Sequence, residues 1–95
     1  MNYYALFYYV IDDYITQRAK YREEHLKLAK AANERGDLVI AGALNNPSDK
    51  ALLIFKVDAI SIVEEFVRND PYVINGIVAR WEIREWTVVI GNKDS

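Results

Sequence analysis

The sequence contains a single histidine, His25, and a carboxylate placed directly before a proline, Asp70 in Asp70-Pro71-Tyr72. Imidazole has an ordinary pKa of about 6.5, so it both accepts and releases a proton at neutral pH. A carboxylate bonded to one ring nitrogen fixes the tautomer and stabilises the imidazolium, which leaves the other nitrogen for a substrate. If the fold brings the two side chains together, we predict general acid–base chemistry on a small carbonyl or phenolic compound.

Each of these two residues also has an ordinary structural interpretation. Without further information, that interpretation is favoured over a catalytic one. A lone histidine at the flank of a helix is often a hydrogen-bonded polar side chain, and an aspartate before a proline commonly ends a helix. On a helical wheel, however, His25, Arg18 and Arg22 fall on or beside the apolar arc rather than on the charged side. Because an unpaired buried charge costs several kcal/mol, these groups need partners, and a carboxylate is the obvious one.

Composition excludes several classes of protein. The 95 residues suffice for one small domain, and a composition that is 52% hydrophobic and 27% charged is globular. A net charge of -2 without a basic stripe argues against nucleic acid, and no lysine-rich helix indicates a membrane surface. The absence of cysteine excludes disulfides and thiolate chemistry and leaves a zinc site short of ligands. The apolar run from Tyr3 to Ile11 is far too short to cross a bilayer. We therefore expect a soluble, cytoplasmic protein that uses no cofactor.

Hydrophobic patterning predicts six elements in the order β-α-β-β-α-β. The predicted strands are Tyr3–Val10, Leu38–Leu44, Ala51–Val57 and Ile77–Ile90, and the predicted helices are Tyr14–Arg35 and Ala59–Asn69. We predict N-caps at Asp12-Asp13 and Asp58, a helix stop at Gly36, a short turn after Asp70-Pro71, and positive φ at Gly76. This order predicts a ferredoxin-like α+β fold, with a four-stranded antiparallel sheet and two helices on one face. Residues 1–91 are expected to form one domain, and residues 92–95 a C-terminal tail.

Both faces of the first predicted strand are apolar, with Tyr3, Ala5, Phe7 and Tyr9 on one and Tyr4, Leu6, Tyr8 and Val10 on the other. Two helices cover only one face of the sheet, and a soluble monomer rarely exposes an apolar surface of that size. A second copy of the same sheet, packed about 10 Å away, is the simplest cover. We therefore predict a homodimer through the sheet faces. The alternative, a cover made of loops or the tail, is disfavoured because the tail is short and polar.

Several motifs together resemble the YCII-related (YciI-like) family of the dimeric α+β barrel superfamily. They are Arg22-Glu23-Glu24-His25-Leu26, the stretch GDLVIAGAL, Asp70-Pro71-Tyr72 and the stretch VINGIVARWEIREW. The resemblance covers essentially the whole chain. It implies a ferredoxin-like subunit, a dimer through the sheet faces, and a His–Asp pair at a pocket in each subunit, carried here by His25 and Asp70. The family often has Ala-Gly-Pro where this chain has Ala41-Gly42-Ala43, which we expect to alter the pocket rim.

The resemblance also implies a range of reactions. One related protein type eliminates chloride from a hydroxylated aromatic ring, and other branches include muconolactone isomerase-like enzymes and cofactor-free monooxygenases. We predict a small cofactor-free enzyme with His25 and Asp70 as its catalytic pair, acting by proton transfer, isomerisation or elimination. Arg22, Gly42 and Tyr72 are the substrate-binding candidates, through an anionic group, a close backbone approach and a pocket wall. Their structural alternatives are an ion pair, a β-bulge and ordinary packing.

Two other hypotheses remain at this point. The first is a non-catalytic small-molecule-binding, regulatory or interaction module, in which the His25–Asp70 pair is a structural hydrogen bond. The second is a haem-binding protein, which is less favoured because His25 is the only histidine and the family pairs it with an aspartate.

Overall fold

The computed structural model describes residues 1–91, so the predicted tail at residues 92–95 lies outside the described part. The strands are β1 (Asn2–Val10), β2 (Leu38–Ala43), β3 (Lys50–Val57) and β4 (Val78–Trp86). The helices are α1 (Tyr14–Gln17), a 3₁₀ turn (Arg18–Lys20), α2 (Arg22–Glu34), α3 (Ile60–Asn69) and α4 (Pro71–Ile74).

The four strands form one antiparallel sheet in the order β2-β3-β1-β4, which confirms the predicted ferredoxin-like α+β fold. β1 is central because it pairs with both β3 and β4; Leu6, for example, lies opposite Leu53 on one side and Ile83 on the other. Side chains alternate between the two faces of a strand, so this register assigns alternate residues of β1 to the helix-covered face.

The hydrophobic core lies between the sheet and the helices. Tyr4, Leu6 and Tyr8 of β1 are buried together with α3 side chains such as Phe66. The rings of Phe55 and Phe66 meet edge to face with centroids 5.2 Å apart, which ties α3 to β3. This core fixes the end of α3, where Asp70 follows.

The predicted helix over Tyr14–Arg35 is wrong in its continuity, because the chain is divided there into α1, the 3₁₀ turn and α2. Tyr21 has φ -119° and ψ 0°, outside the helical region, and its N–H donates to the carbonyl of Arg18. No glycine or proline marks this break. The first turn is held separately through Tyr14, which is buried against the ring of Tyr72, and helix propensity takes no account of such a contact.

Asp13 occupies the N-cap position of α1 as predicted but makes no capping hydrogen bond, and the predicted cap at Asp58 is wrong. Asp13 precedes α1, but its carboxylate accepts from the Gln17 side chain at 3.0 Å instead of a backbone N–H. Ala59, not Asp58, occupies the N-cap of α3, with no side-chain cap. Gly36 and Gly76 do adopt positive φ, 89° and 74°.

The last strand is shorter than predicted, since it ends at Trp86 rather than Ile90. Its pairing with β1 runs out at that point, because Tyr3 lies opposite Trp86 and β1 begins one residue earlier, at Asn2. Ile90 lies beyond the sheet and is exposed.

The second face of the sheet has no helix on it. Tyr3, Ala5, Phe7 and Tyr9 of β1 lie there beside Leu52 and Ile54 of β3. Ile40 at one edge and Trp86 at the other are exposed, and a shallow groove runs over Phe7, Leu52 and Ile54. We call these side chains the open sheet face. Within residues 1–91, no helix is long and apolar enough to cross a membrane.

Candidate active site

Asp70 lies at the junction of two helices. A residue before proline is biased away from the helical region, and Asp70 is extended, with φ -76° and ψ 119°, so α3 ends at Asn69. Pro71 then starts α4, a position that tolerates proline because the first N–H of a helix lacks an intrahelical partner. The predicted turn after Asp70-Pro71 is therefore a short helix with Asp70 as its N-cap.

The Asp70 carboxylate is fully buried and accepts from three groups. Its Oδ1 accepts the backbone N–H of Tyr72 at 3.0 Å and lies 2.8 Å from Nδ1 of His25. Its Oδ2 accepts the hydroxyl of Tyr8 at 2.7 Å. A buried carboxylate is costly unless such donors satisfy it, so these contacts explain how the group is held away from solvent. We call Asp70, Tyr8 and His25 the carboxylate network.

The phenols of Tyr8 and Tyr72 resist ionisation. Burial raises the pKa of the Tyr8 phenol above its ordinary value, and the adjacent Asp70 charge and hydrogen bond raise it further. Burial also raises the pKa of Tyr72, with a contribution from Tyr14, while Arg22 and Arg18 oppose the rise. Both phenols therefore stay neutral donors at neutral pH.

His25 is the fourth residue of α2 and lies between the carboxylate and a cavity. Its ring stacks on Tyr72 with centroids 3.8 Å apart and planes 7° apart, which fixes its orientation. Nδ1 is bonded to Asp70, and no residue within 1–91 hydrogen-bonds to Nε2. With the proton on Nδ1, the Nε2 lone pair is the one that a molecule in the cavity can meet.

The cavity beside His25 has a volume of about 420 Å³ and is open to solvent. One wall comes from α1, the 3₁₀ turn and α2 and is formed by Ile15, Arg18, Arg22, His25, Leu26 and Ala29. The opposite wall comes from β2, β3 and their connection and is formed by Ala41, Gly42, Ala43, Asn45, Ser48, Ala51 and Leu53. Tyr8, Val10, Tyr14 and Tyr72 complete the lining.

Arg18 is held at this cavity by an aromatic side chain. One of its terminal nitrogens donates to the Tyr14 hydroxyl at 3.1 Å, and its guanidinium carbon lies 4.8 Å from the centroid of the same ring. Neither Arg18 nor Arg22 forms an ion pair with a residue in the described part of the chain. The structural ion pair considered for Arg22 is thus absent within residues 1–91.

The structure brings the five candidate residues to one place. His25 and Asp70 lie within hydrogen-bond distance, and Arg22, Tyr72 and Gly42 line the cavity. Gly42 pairs with Leu52 on the open sheet face, and a Cβ added to it would meet no atom within 4 Å. Its backbone contributes to the wall, but the space that its missing side chain would occupy is empty.

Sequence reasoning missed some contributors to the site. Tyr8 was grouped with an apolar face, although a phenol in a buried row needs a hydrogen-bond partner, and that need was the available signal. Tyr14 was assigned only as the start of a helix. Asn45 and Ser48 lie in the connection between the second and third predicted strands, and no local pattern shows that this connection lines the cavity.

The comparisons define the class of protein. A family model of the YCII-related domain matches residues 1–87, so the chain belongs to the YCII-related family. No curated protein matches the sequence.

Two solved structures share the fold. One is 5-chloro-2-hydroxyhydroquinone dehydrochlorinase (TftG) from Burkholderia phenoliruptrix AC1100, in complex with 2,5-dihydroxybenzoquinone. It has a TM-score of 0.78 at 16% identity over 92% of this chain and 95% of that one. The other is protein Atu4242 from Agrobacterium tumefaciens, with a TM-score of 0.62 at 16% identity over 96% of each chain.

Proposed function

We propose that this protein is a small cofactor-free enzyme that moves a proton on a small carbonyl or phenolic compound. His25 is the general acid–base, Asp70 orients it, and Arg22, Gly42 and Tyr72 belong to the substrate-binding wall. The observation that carries the proposal is the position of His25, with one ring nitrogen on a fully buried carboxylate and the ring at the wall of a cavity.

The chemistry follows from the two ring nitrogens. Nε2 takes a proton from a substrate C–H or O–H, and the imidazolium that forms is stabilised by the Asp70 carboxylate at Nδ1. For isomerisation, the same proton returns to a different substrate atom. For elimination, the electron pair of the broken C–H or O–H bond forms a new double bond, and the leaving group departs with its own bonding pair.

A structural neighbour supports the type of substrate. TftG, which has the same fold, is named as a dehydrochlorinase of a chlorinated hydroxyhydroquinone and was solved with a dihydroxyquinone. The cavity here, about 420 Å³, has room for a single aromatic ring and its substituents. Hydroxylated aromatic or quinonoid compounds are therefore the first to test.

Solvent-proton exchange tests the proposal even before the complete reaction is identified. The protein is incubated in D₂O with 2,5-dihydroxybenzoquinone and with chlorinated hydroxyhydroquinones, and deuterium incorporation and chloride release are followed by NMR and ion chromatography. We expect His25→Asn to lower the catalysed rate by about 10²–10⁴-fold, the usual contribution of a general acid–base. Lys27→Asn, on the exposed side of the same helix, is the matched control and should retain the rate.

A different set of results would favour the non-catalytic alternative. If no compound in a broad carbonyl and phenol panel reacts, and His25→Asn only lowers stability, the pair is a structural hydrogen bond and the protein is a non-catalytic binding module.

We also propose that the protein is a homodimer through the open sheet face. The support is that Phe7, Leu52 and Ile54 form an apolar strip with no helix over it, bordered by Trp86 and by the charged side chains of Arg84 and Glu85. Ile40 is exposed at the other edge of the same face. An isologous pairing of two such faces would cover both copies at once.

A further inference from the structure

The cavity has a charge composition opposite to that of the chain. The whole protein carries a net charge of -2, with 14 acidic and 12 basic residues. Among the described residues that line the cavity, Arg18, Arg22 and His25 are basic or titratable and none is aspartate or glutamate. The cavity of this acidic protein is therefore lined by positive charge. In a concave site, the surrounding low-dielectric wall strengthens the electric field of such charges.

Several donor atoms of Arg18, Arg22 and Tyr72 at the cavity lack an acceptor within residues 1–91. Guanidinium groups only donate, and Arg18 uses one nitrogen on the Tyr14 hydroxyl while Arg22 has no ion-pair partner within residues 1–91. The hydroxyl of Tyr72 is the one buried side-chain polar atom in the described residues without a hydrogen-bond partner of good geometry. Buried polar atoms are normally paired, so an unpaired one at a cavity-lining residue indicates a missing partner.

The three donors act on the same region. Arg18, Arg22 and Tyr72 line the same cavity, and the charges of the two guanidinium groups lower the pKa of the Tyr72 phenol against the effect of its burial. His25 stacks on the ring of Tyr72 at 3.8 Å. A group bound by these donors would therefore lie beside the imidazole, within reach of a proton transfer.

We propose that Arg18, Arg22 and Tyr72 form an anion-binding subsite, which selects small planar organic anions that carry a carboxylate or an ionised enol or phenol. Tyr14 is a positioning residue, since it holds the Arg18 guanidinium by a hydrogen bond and a cation–π contact. This assignment names the substrate class of the proposed enzyme and so rests on the same cavity. Its test needs only binding and no turnover.

A pair of isosteric probes tests the subsite on the unmodified protein. 4-Hydroxybenzoate and 4-hydroxybenzamide have nearly the same shape, but only the former is an anion at neutral pH. We expect calorimetry to show the benzoate binding roughly tenfold or more tightly, because charge-assisted hydrogen bonds are the stronger ones. Equal affinity of the two probes would overturn the proposal, whatever any variant does.

Charge-neutral variants then locate the preference. We expect Arg18→Gln and Arg22→Gln each to weaken benzoate binding several-fold and the double variant to abolish the difference between the probes, with benzamide affinity unchanged. Arg68→Gln, on an exposed position of α3, removes the same net charge away from the cavity and should leave the preference intact. An equal loss of benzoate affinity in Arg68→Gln would show that the effect comes from the overall charge of the protein, and the proposed subsite would be wrong.

Tyr14→Phe tests the positioning role. It keeps the ring but removes the hydroxyl acceptor, so benzoate affinity should fall less than in Arg18→Gln, and the benzamide affinity should stay the same.

His25→Asn separates the anion-binding subsite from the acid–base role. If the variant keeps the preference for benzoate but loses turnover, both proposals are supported. If it keeps both the preference and full turnover, the acid–base role alone is overturned.

Discussion

At the scale of single residues, the Asp70 carboxylate both stabilises the fold and holds the ring of His25. Through Oδ1 it caps α4 at the N–H of Tyr72, and the same oxygen holds Nδ1 of His25. Through Oδ2 it accepts the hydroxyl of Tyr8, near the end of β1. The residue therefore links strand, long helix and short helix, and its loss affects the fold as well as the site.

Removal of this carboxylate should be costly. We expect Asp70→Ala to lower the free energy of unfolding by about 3–5 kcal/mol, because three donors lose their acceptor in a buried site. Urea unfolding followed by circular dichroism measures this. Asp37→Ala is the control, since its partner Arg35 is exposed and such pairs contribute at most about 1 kcal/mol. Similar losses in both variants would contradict the network.

Asp70→Asn separates the structural function from the charge. The amide keeps an acceptor for the cap and, after the Tyr8 hydroxyl rotates, a donor toward it, so the stability loss should be clearly smaller than for alanine. The imidazolium, however, loses its counter-charge, so deuterium exchange into a substrate should still fall by about 10²-fold or more. Full exchange activity in a folded Asp70→Asn variant would count against the proposed mechanism.

Tyr8 should make the protein sensitive to alkali. Because its pKa is raised in the folded state, its contribution to stability is complete below the unfolded value of about 10 and is lost as the pH rises toward the folded value. Above about pH 10 we expect an extra loss of about 1.4 kcal/mol per pH unit relative to Tyr8→Phe. Denaturant titrations of both proteins across this range give the difference, and parallel curves would refute it.

At the scale of elements, the short helix α4 determines where Tyr72 lies and hence where the His25 ring stacks. Gly76 closes the connection to β4 with a φ of 74°, a conformation that side chains other than glycine rarely adopt. The geometry of the site therefore depends on one backbone turn outside it.

A matched pair of glycine variants tests this turn. We expect Gly76→Ala to cost about 1–2 kcal/mol, the penalty for a left-handed residue with a Cβ. Gly42→Ala should cost little in the monomer, since its φ is not positive and its added Cβ meets no atom within 4 Å. Thermal unfolding at protein concentrations low enough to favour the monomer compares the two, and equal losses would contradict the assignment.

The same elements show how far sequence alone reaches. Periodicity gave the order of strands and helices and placed Arg18, Arg22 and His25 on one arc, because each of these follows from a local repeat. The break at Tyr21 is not visible in the sequence, since it depends on the contact of Tyr14 with Tyr72, which is distant in the chain. The missing cap at Asp13 has a local cause, because its carboxylate bonds the Gln17 side chain instead. The bond between Tyr8 and Asp70 spans 62 positions, and only the assembled sheet brings those side chains together.

At the scale of the whole molecule, the proposed dimer through the open sheet face can be tested directly. We expect the parent protein to sediment as a dimer and Phe7→Glu to shift it to monomer, since a charge in the centre of an apolar interface is unpaired and desolvated. Ile62→Glu places the same charge on the exposed side of α3 and is the control. Analytical ultracentrifugation, with circular dichroism to verify folding, gives the result. A Phe7→Glu dimer would exclude this interface.

The cavity lies between two walls that belong to different parts of the fold, one helical and one from β2, β3 and their connection. This division bears on how new substrate preferences can arise in the family. The helical wall carries the groups proposed for proton transfer and anion binding, whereas Ala41, Ala43, Asn45 and Ser48 on the other wall make no hydrogen bond to the carboxylate network. Replacement of these small side chains would remodel the outline of the accepted molecule without disturbing the reacting pair. An engineer seeking new substrates should therefore randomise positions 41–48 first and leave the helical wall as it is.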